Sequence, residues 1–155
     1  MLLSISRCEH HFLKQSQSFH SMKILICEDQ EILLTALQFR MRKVGYKAII
    51  AKDGKEALAT FDQEKIDLVV ADLLMPRMTG LELIQQIRAK DEQVPIIVIS
   101  PIDHEEEILN AFELGANDFV AKPFKPRELI LRIKRLFQDQ AIEKAEKQKA
   151  EQAAK

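Results

Sequence analysis

Apolar positions along this chain switch repeatedly between two periods. Compact runs such as Ile24-Leu25-Ile26, Ala48-Ile49-Ile50, Leu68-Val69-Val70, Ile96-Ile97-Val98-Ile99 and Phe119-Val120 alternate with stretches whose apolar residues recur every three or four positions. The first kind reads as strands buried on both faces and the second as amphipathic helices. Strands are predicted near 23–27, 47–51, 68–71, 96–99 and 118–121. The first helix carries Leu33, Ala36, Leu37, Met41 and Val44 and stops at Gly45; the second carries Ala57, Leu58 and Phe61; the third, Leu83, Ile84 and Ile87. Ile108, Ala111 and Phe112 mark the fourth, stopped at Gly115, and Leu129, Ile130, Ile133, Leu136 and Phe137 the last. Asp53 with Glu56, Thr79 with Glu82, and Asp103 with Glu106 have capping-box spacing and predict three helix starts.

Strands and helices in strict alternation imply parallel βα units joined by right-handed crossovers. Continuous apolar strands imply a sheet covered on both sides. The expected fold is α/β, a three-layer sandwich of the flavodoxin-like (βα)5 kind with parallel strand order 2-1-3-4-5. Residues 22–138 form this unit. Residues 1–21 lack periodicity and read as a disordered leader, in which Cys8, His10, His11 and His20 match no closed zinc spacing. Residues 139–155 turn to Ala, Glu, Lys and Gln, with Glu143 and Lys147 paired at i, i+4, and read as a charged helical tail or linker.

Composition narrows the function. With 23 Lys and Arg against 24 Asp and Glu, a net charge of -1 supplies no field for nucleic acid or anionic lipid. No apolar stretch has the length of a membrane span. Cys27 falls in an apolar strand and reads as a core thiol, which suits a reducing, cytoplasmic setting.

The chemistry lies where strands end. Glu28 and Asp29 follow the first strand, Asp72 the third, Ser100 the fourth and Lys122-Pro123 the fifth. In an open parallel sheet the ligand site lies beyond the carboxyl ends of the strands, so these groups converge. Taken singly, an Asp after a strand caps a helix, Lys-Pro makes a turn and Ser100 opens a helix; four reactive strand ends in order describe a site. Two carboxylates about 4 Å apart repel by roughly 4 kcal/mol at an effective dielectric of 20. Few oxygen ligands with room for water and phosphate oxygens suit Mg²⁺. Lys122 and Ser100 can meet an anionic oxygen, which makes the site a receptacle for a phosphoryl group.

These residues resemble the receiver domain of two-component response regulators, from Lys23 to about Phe137. The resemblance rests on KILICED at 23–29, VVADLLMPRMTGLEL at 69–83, PIIVIS at 95–100 and LGANDFVAKPF at 114–124. It implies Asp72 as phosphoacceptor, with Asp29, Glu28 through water, Asp72 and the Leu74 carbonyl holding Mg²⁺. It implies that Lys122 grips phosphoryl oxygens, that Ser100 and Phe119 form a switch pair, and that the Lys122-Pro123 bond is cis. The implied partners are a sensor histidine kinase or phosphotransfer protein, and a downstream effector, or a second copy, on the surface of the fourth helix, fifth strand and fifth helix. No direct contact of this chain with nucleic acid or membrane is implied. No enzyme activity is expected beyond self-catalysed phosphoryl transfer and loss.

Three positions depart from the family pattern. Pro101 follows Ser100 where receivers usually carry a small residue, which stiffens that loop. Leu74 and Ile102 are apolar at two places flanking the phosphoryl position, which predicts a long-lived phosphoaspartate. One alternative is the receiver fragment of a DNA-binding transcription regulator that dimerises on phosphorylation, with Asp118, Glu128 and Arg132 as the candidate dimer face. An Mg²⁺-dependent phosphatase is disfavoured because no Asp-x-Asp follows the first or third strand, and a flavodoxin-type carrier because acids replace the phosphate-cradling loop.

Overall fold

A computed structural model describes residues 20–155. The elements alternate throughout: β1 (Lys23–Cys27), α1 (Glu31–Lys43), β2 (Lys47–Ala51), α2 (Gly54–Gln63), β3 (Leu68–Asp72), α3 (Gly80–Lys90), β4 (Ile96–Pro101), α4 (Glu105–Glu113), β5 (Asp118–Lys122) and α5 (Pro126–Ala153). All pairings are parallel, in the predicted order β2-β1-β3-β4-β5.

Alternation of side chains along each strand splits the core in two. Leu25, Cys27, Val69, Ala71, Ile96 and Val98 pack with Leu83, Ile84 and Ile87 of α3 and with Ala57, Ile108 and Ala111 of α2 and α4. Ile24, Ile26, Val70, Ile97, Ile99 and Val120 face Leu37 and Met41 of α1 and Leu129 and Ile133 of α5. Both faces are therefore covered, and β3, β1 beyond Lys23 and β4 before Pro101 are wholly buried. β2, at the sheet edge, is only half-buried. Burial, followed by the nearby Glu56 and Asp53 charges, pushes the Cys27 thiol up, as fits a core residue.

Three local expectations differ from the structure. The buried stripe of α1 is Leu34, Leu37 and Met41, while Val44 and Ala36 are exposed. Adjacent Leu33 and Leu34 both fit a helical period, and packing on the sheet chooses the second. Asp103 does not cap α4; the N-cap is His104, without a side-chain cap bond. The third is subtler: Asp53 accepts from the Glu56 N–H at 2.9 Å, but Glu56 reaches back to the N–H of Lys52 rather than of Asp53. Only Thr79 and Glu82 complete a reciprocal box. Gly45, at φ +87°, ends the turn after α1 as predicted.

Pro101 occupies the last position of β4 without breaking the sheet. The Leu73 N–H donates to the Ile99 carbonyl at 3.1 Å, so the next ladder bond would run from residue 101 to the Leu73 carbonyl. Proline has no N–H to give, and that carbonyl accepts instead from Gly80 at 3.1 Å.

α5 passes residue 138 without interruption, so the charged tail is a continuation of the last helix. Gln140 ties it to the body by donating to the Gln93 carbonyl at 3.1 Å. Of the leader, residues 1–19 lie outside the described residues, with Cys8, His10 and His11 among them; His20 is exposed.

Candidate functional site

Strand register assembles the site. Cys27 pairs with Ala71, Asp72 with Ile99, and Pro101 with Lys122, so Glu28, Asp72, Ser100 and Lys122 end at one level along the same sheet edge. Carboxylate oxygens of Glu28, Asp29 and Asp72 lie within 4.8 Å of one another. Lys122 Nζ donates to Asp72 Oδ2 at 2.5 Å and lies 2.7 Å from Glu28 Oε2.

Each group is held differently. Glu28 is fully buried, and its Oε1 accepts the N–H groups of Asp29 and Gln30, both at 3.1 Å. Burial raises its carboxyl above the ordinary range, and the hydrogen bonds of Lys122 and the Gln30 N–H offset this only in part. Asp72 is 3 % exposed and its Oδ1 accepts the Leu74 N–H at 2.9 Å. Asp29 is exposed. Burial works against the Lys122 ammonium, yet the hydrogen bonds and charges of Asp72 and Glu28 outweigh it and lift its pKa.

Three carboxylates answered by one ammonium leave negative charge in excess. The donors are all oxygen, one carboxylate is open to solvent, and Glu28 Oε2 shares the Lys122 ammonium with Asp72. That set fits a hard divalent cation retaining several waters.

The Ser100 hydroxyl is fully buried and has no hydrogen-bond partner among the described residues. Phe119 lies opposite Val98, half-buried against the α2, α3 and α4 side of the core. The Lys122-Pro123 bond is cis. Leu74 and Ile102 are 48 % and 73 % exposed, so both apolar flanks stand at the surface. Asp118, Glu128 and Arg132 lie apart from this centre and bind one another: Arg132 donates to Asp118 at 2.9 Å and to Glu128 at 3.3 Å, and Arg135 also reaches Asp118, at 3.0 Å.

Sequence reasoning assigned no role to Gly80. A Cβ there would come within 2.5 Å of the Asp72 carbonyl oxygen and 2.7 Å of Leu73 Cα, so the start of α3 closes on the loop carrying Asp72. A glycine directly after a cap residue was the available signal. Met78 sits equally close over Gly54, joining that loop to α2, and Arg77 takes φ +68° within it.

The family profile described as the response regulator receiver domain matches residues 24–134, most of the chain. The chain belongs to the response regulator receiver domain family. Among relatives, it is 38 % identical over 120 residues to the alkaline phosphatase synthesis transcriptional regulatory protein PhoP of Bacillus subtilis, covering 77 % of this chain and 50 % of that protein. It is 43 % identical over 111 residues to the sensory transduction protein RegX3 of Mycobacterium tuberculosis, covering 72 % of this chain and 48 % of that one. The receiver thus spans about half the length of these relatives. Among solved structures it resembles the receiver domain of the sensor histidine kinase PA1611 of Pseudomonas aeruginosa, with a TM-score of 0.69 and 29 % identity over 75 % of this chain and 97 % of that one. That structure holds a magnesium ion in its active-site cleft.

Proposed function

We propose that this receiver is a phosphorylation-dependent signalling switch that accepts a phosphoryl group on Asp72. The observation that carries the reading is the buried Asp72 carboxylate held between Lys122 and the acidic pair Glu28 and Asp29. An Asp72 oxygen attacks phosphorus, forming an acyl phosphate while the bond from phosphorus to the donor's imidazole nitrogen or acetate oxygen breaks. Bound Mg²⁺ supplies Lewis-acid neutralisation of phosphoryl charge, and Glu28, Asp29, Asp72 and the Leu74 carbonyl are the groups that would hold it. Lys122 orients the phosphoryl oxygens, and the free Ser100 hydroxyl donates to one of them. Phe119 turns inward behind it.

The switch then follows from differential contacts. A phosphoryl group shifts the balance only through bonds made in one state and not the other, and a change from 1:99 to 99:1 needs about 5.5 kcal/mol. Lys122 and Ser100 are where those bonds form. The output is an altered surface on α4, β5 and α5.

A sensor histidine kinase or phosphotransfer protein is the proposed donor. Beside the site, Ile32, Leu33, Lys122, Pro123 and Phe124 line a groove of about 610 Å³ between α1 and the loop after β5, and Ile32 is 90 % exposed. We place the unit in the cytoplasm; no helix among the described residues is long and apolar enough to cross a membrane. The half-length match to PhoP favours a second reading, in which this is the receiver of a transcription regulator that dimerises on phosphorylation. Sedimentation with and without beryllofluoride separates a dimer from a monomer.

Incubation with Mg²⁺ and acetyl phosphate tests the first reading. The expected result is a mass increase of one phosphoryl group in the native chain and none in Asp72→Asn. An adduct of equal yield in Asp72→Asn would refute it.

A further inference from the structure

A polar contact unused by this chemistry joins α3 to the turn after α4. Arg88 Nε and Nη2 donate to the Gly115 carbonyl at 3.0 and 2.8 Å and Nη2 also to Asn117 Oδ1 at 3.0 Å, while Nη1 donates to the Asp91 carbonyl at the end of α3 itself at 3.0 Å. Gly115 has φ +112°, and a Cβ on it would meet Arg88 Nε at 2.7 Å, so glycine is what lets the guanidinium approach this closely. Asn117 continues the chain of contacts. Its side chain accepts the Ile96 N–H and its own N–H donates to the Ile96 carbonyl, both at 2.8 Å. The C-terminal end of α4 is therefore fastened to α3 and to β4.

The other end is held more lightly. The His104 N–H donates to the Pro101 carbonyl at 3.2 Å, but His104 makes no side-chain cap bond, and the Asp103 side chain is 81 % exposed. Only Ile108 and Ala111 of α4 are buried, both beyond its first turn. Immediately upstream stand exposed Ile102, half-buried Pro101 and Ser100 with its unpartnered hydroxyl.

We infer that Arg88 is the pivot of α4: it pins the helix at Gly115, so a change begun at Ser100 swings the N-terminal end while the C-terminal end stays. Hydrogen bonds from a charged donor are stronger than neutral ones, and this guanidinium makes several in a fixed fork. Segments with few buried contacts open first. Asymmetric fastening of a short helix makes it a lever. Exposed Ile102 and Leu109 then move farther than Phe112, which lies beside the pivot. The driving event rests on the proposed phosphorylation of Asp72; the pivot does not.

Hydrogen exchange on the full chain tests this, restricted to amides bonded within or just after the helix. In the resting protein, amides 108–110 exchange faster than 114–116. Beryllofluoride with Mg²⁺ changes protection at 108–110 and leaves 114–116 unaltered. In Arg88→Met, exchange at 114–117 rises by about tenfold, the effect of losing charge-assisted hydrogen bonds, and beryllofluoride then alters all of α4. Arg88→Lys, whose ammonium cannot bridge both acceptors, gives the same pattern if the methionine variant fails to fold. Uniform exchange along α4 at rest, or an equal beryllofluoride response at both ends, overturns the pivot. A gradient at rest with no beryllofluoride response anywhere supports the pivot and refutes the phosphorylation reading.

Discussion

Lys122 Nζ touches Asp72 Oδ2 at 2.5 Å across 50 residues of chain, and the same ammonium lies 2.7 Å from Glu28. One cation therefore holds carboxylates from two strand ends. Lys122→Met leaves Glu28 buried with its charge uncompensated, a change that costs about 3–5 kcal/mol when a buried pair is broken, less whatever Glu28 recovers by taking up a proton. The expected outcome is a lower melting temperature and a reduced acetyl phosphate adduct. Calorimetry and intact mass check the two effects separately.

Mg²⁺ should stabilise the fold through the acidic cluster. A ligand that binds only the folded state adds about 2.7 kcal/mol at one hundred times its Kd. A rising melting temperature with Mg²⁺ is expected for the native chain, and a strongly weakened rise for Asp29→Asn, which removes the solvent-exposed member of the cluster. An unchanged dependence in Asp29→Asn would contradict the proposed ligand set.

Gly80 offers a purely steric prediction. The atoms a Cβ would meet are main-chain atoms of Asp72 and Leu73, which cannot turn aside like a side-chain tip. Gly80→Ala is expected to destabilise by about 1–3 kcal/mol, the usual range for overpacking, and to slow phosphorylation by displacing the Asp72 loop. Thr79→Ala, which loses a cap worth about 1 kcal/mol, serves as the comparison. It should lower stability in denaturant titration with a smaller effect on the adduct.

The strands and the site were legible in the sequence for one reason: β1, β3 and β4 are buried on both faces, so they appear as unbroken apolar runs and the reactive residue ending each run is conspicuous. Parallel register then levels those ends. What depends on contacts across the chain was not legible. Arg88 bonds to a carbonyl 27 residues away, and a main-chain acceptor leaves no side-chain signature. The phase of α1 turned on a choice between adjacent leucines that only the sheet could make. Asp103 matched a capping box by spacing, yet the N-cap of α4 falls one residue later, at His104.

Leu74 and Ile102 bear on how long the phosphoryl group persists. Both are exposed, and neither side chain can hydrogen-bond an attacking water. Leu74→Asn is expected to speed phosphate loss by about tenfold, equivalent to about 1.4 kcal/mol of barrier. Timed loss of the adduct in native and variant chains measures this, and equal rates would count against it.

Pro101 is the last residue of β4 and the neighbour of the Ser100 hydroxyl. Its missing N–H costs the sheet nothing, because the Leu73 carbonyl that would have accepted it is already bound to Gly80. Pro101→Ala therefore breaks no hydrogen bond in the folded state. What it changes is freedom: alanine widens the unfolded ensemble, and releasing a proline that fits its site costs about 0.4–1 kcal/mol of stability. It also lifts the restriction that proline places on Ser100. If that restriction opposes the movement of the hydroxyl toward the phosphoryl oxygen, the variant should bind beryllofluoride more tightly although it melts at a lower temperature. These opposite shifts distinguish a stiff switch from simple loosening of the fold, which would weaken both. Titration calorimetry with beryllofluoride, paired with thermal melts, reads the two signs directly.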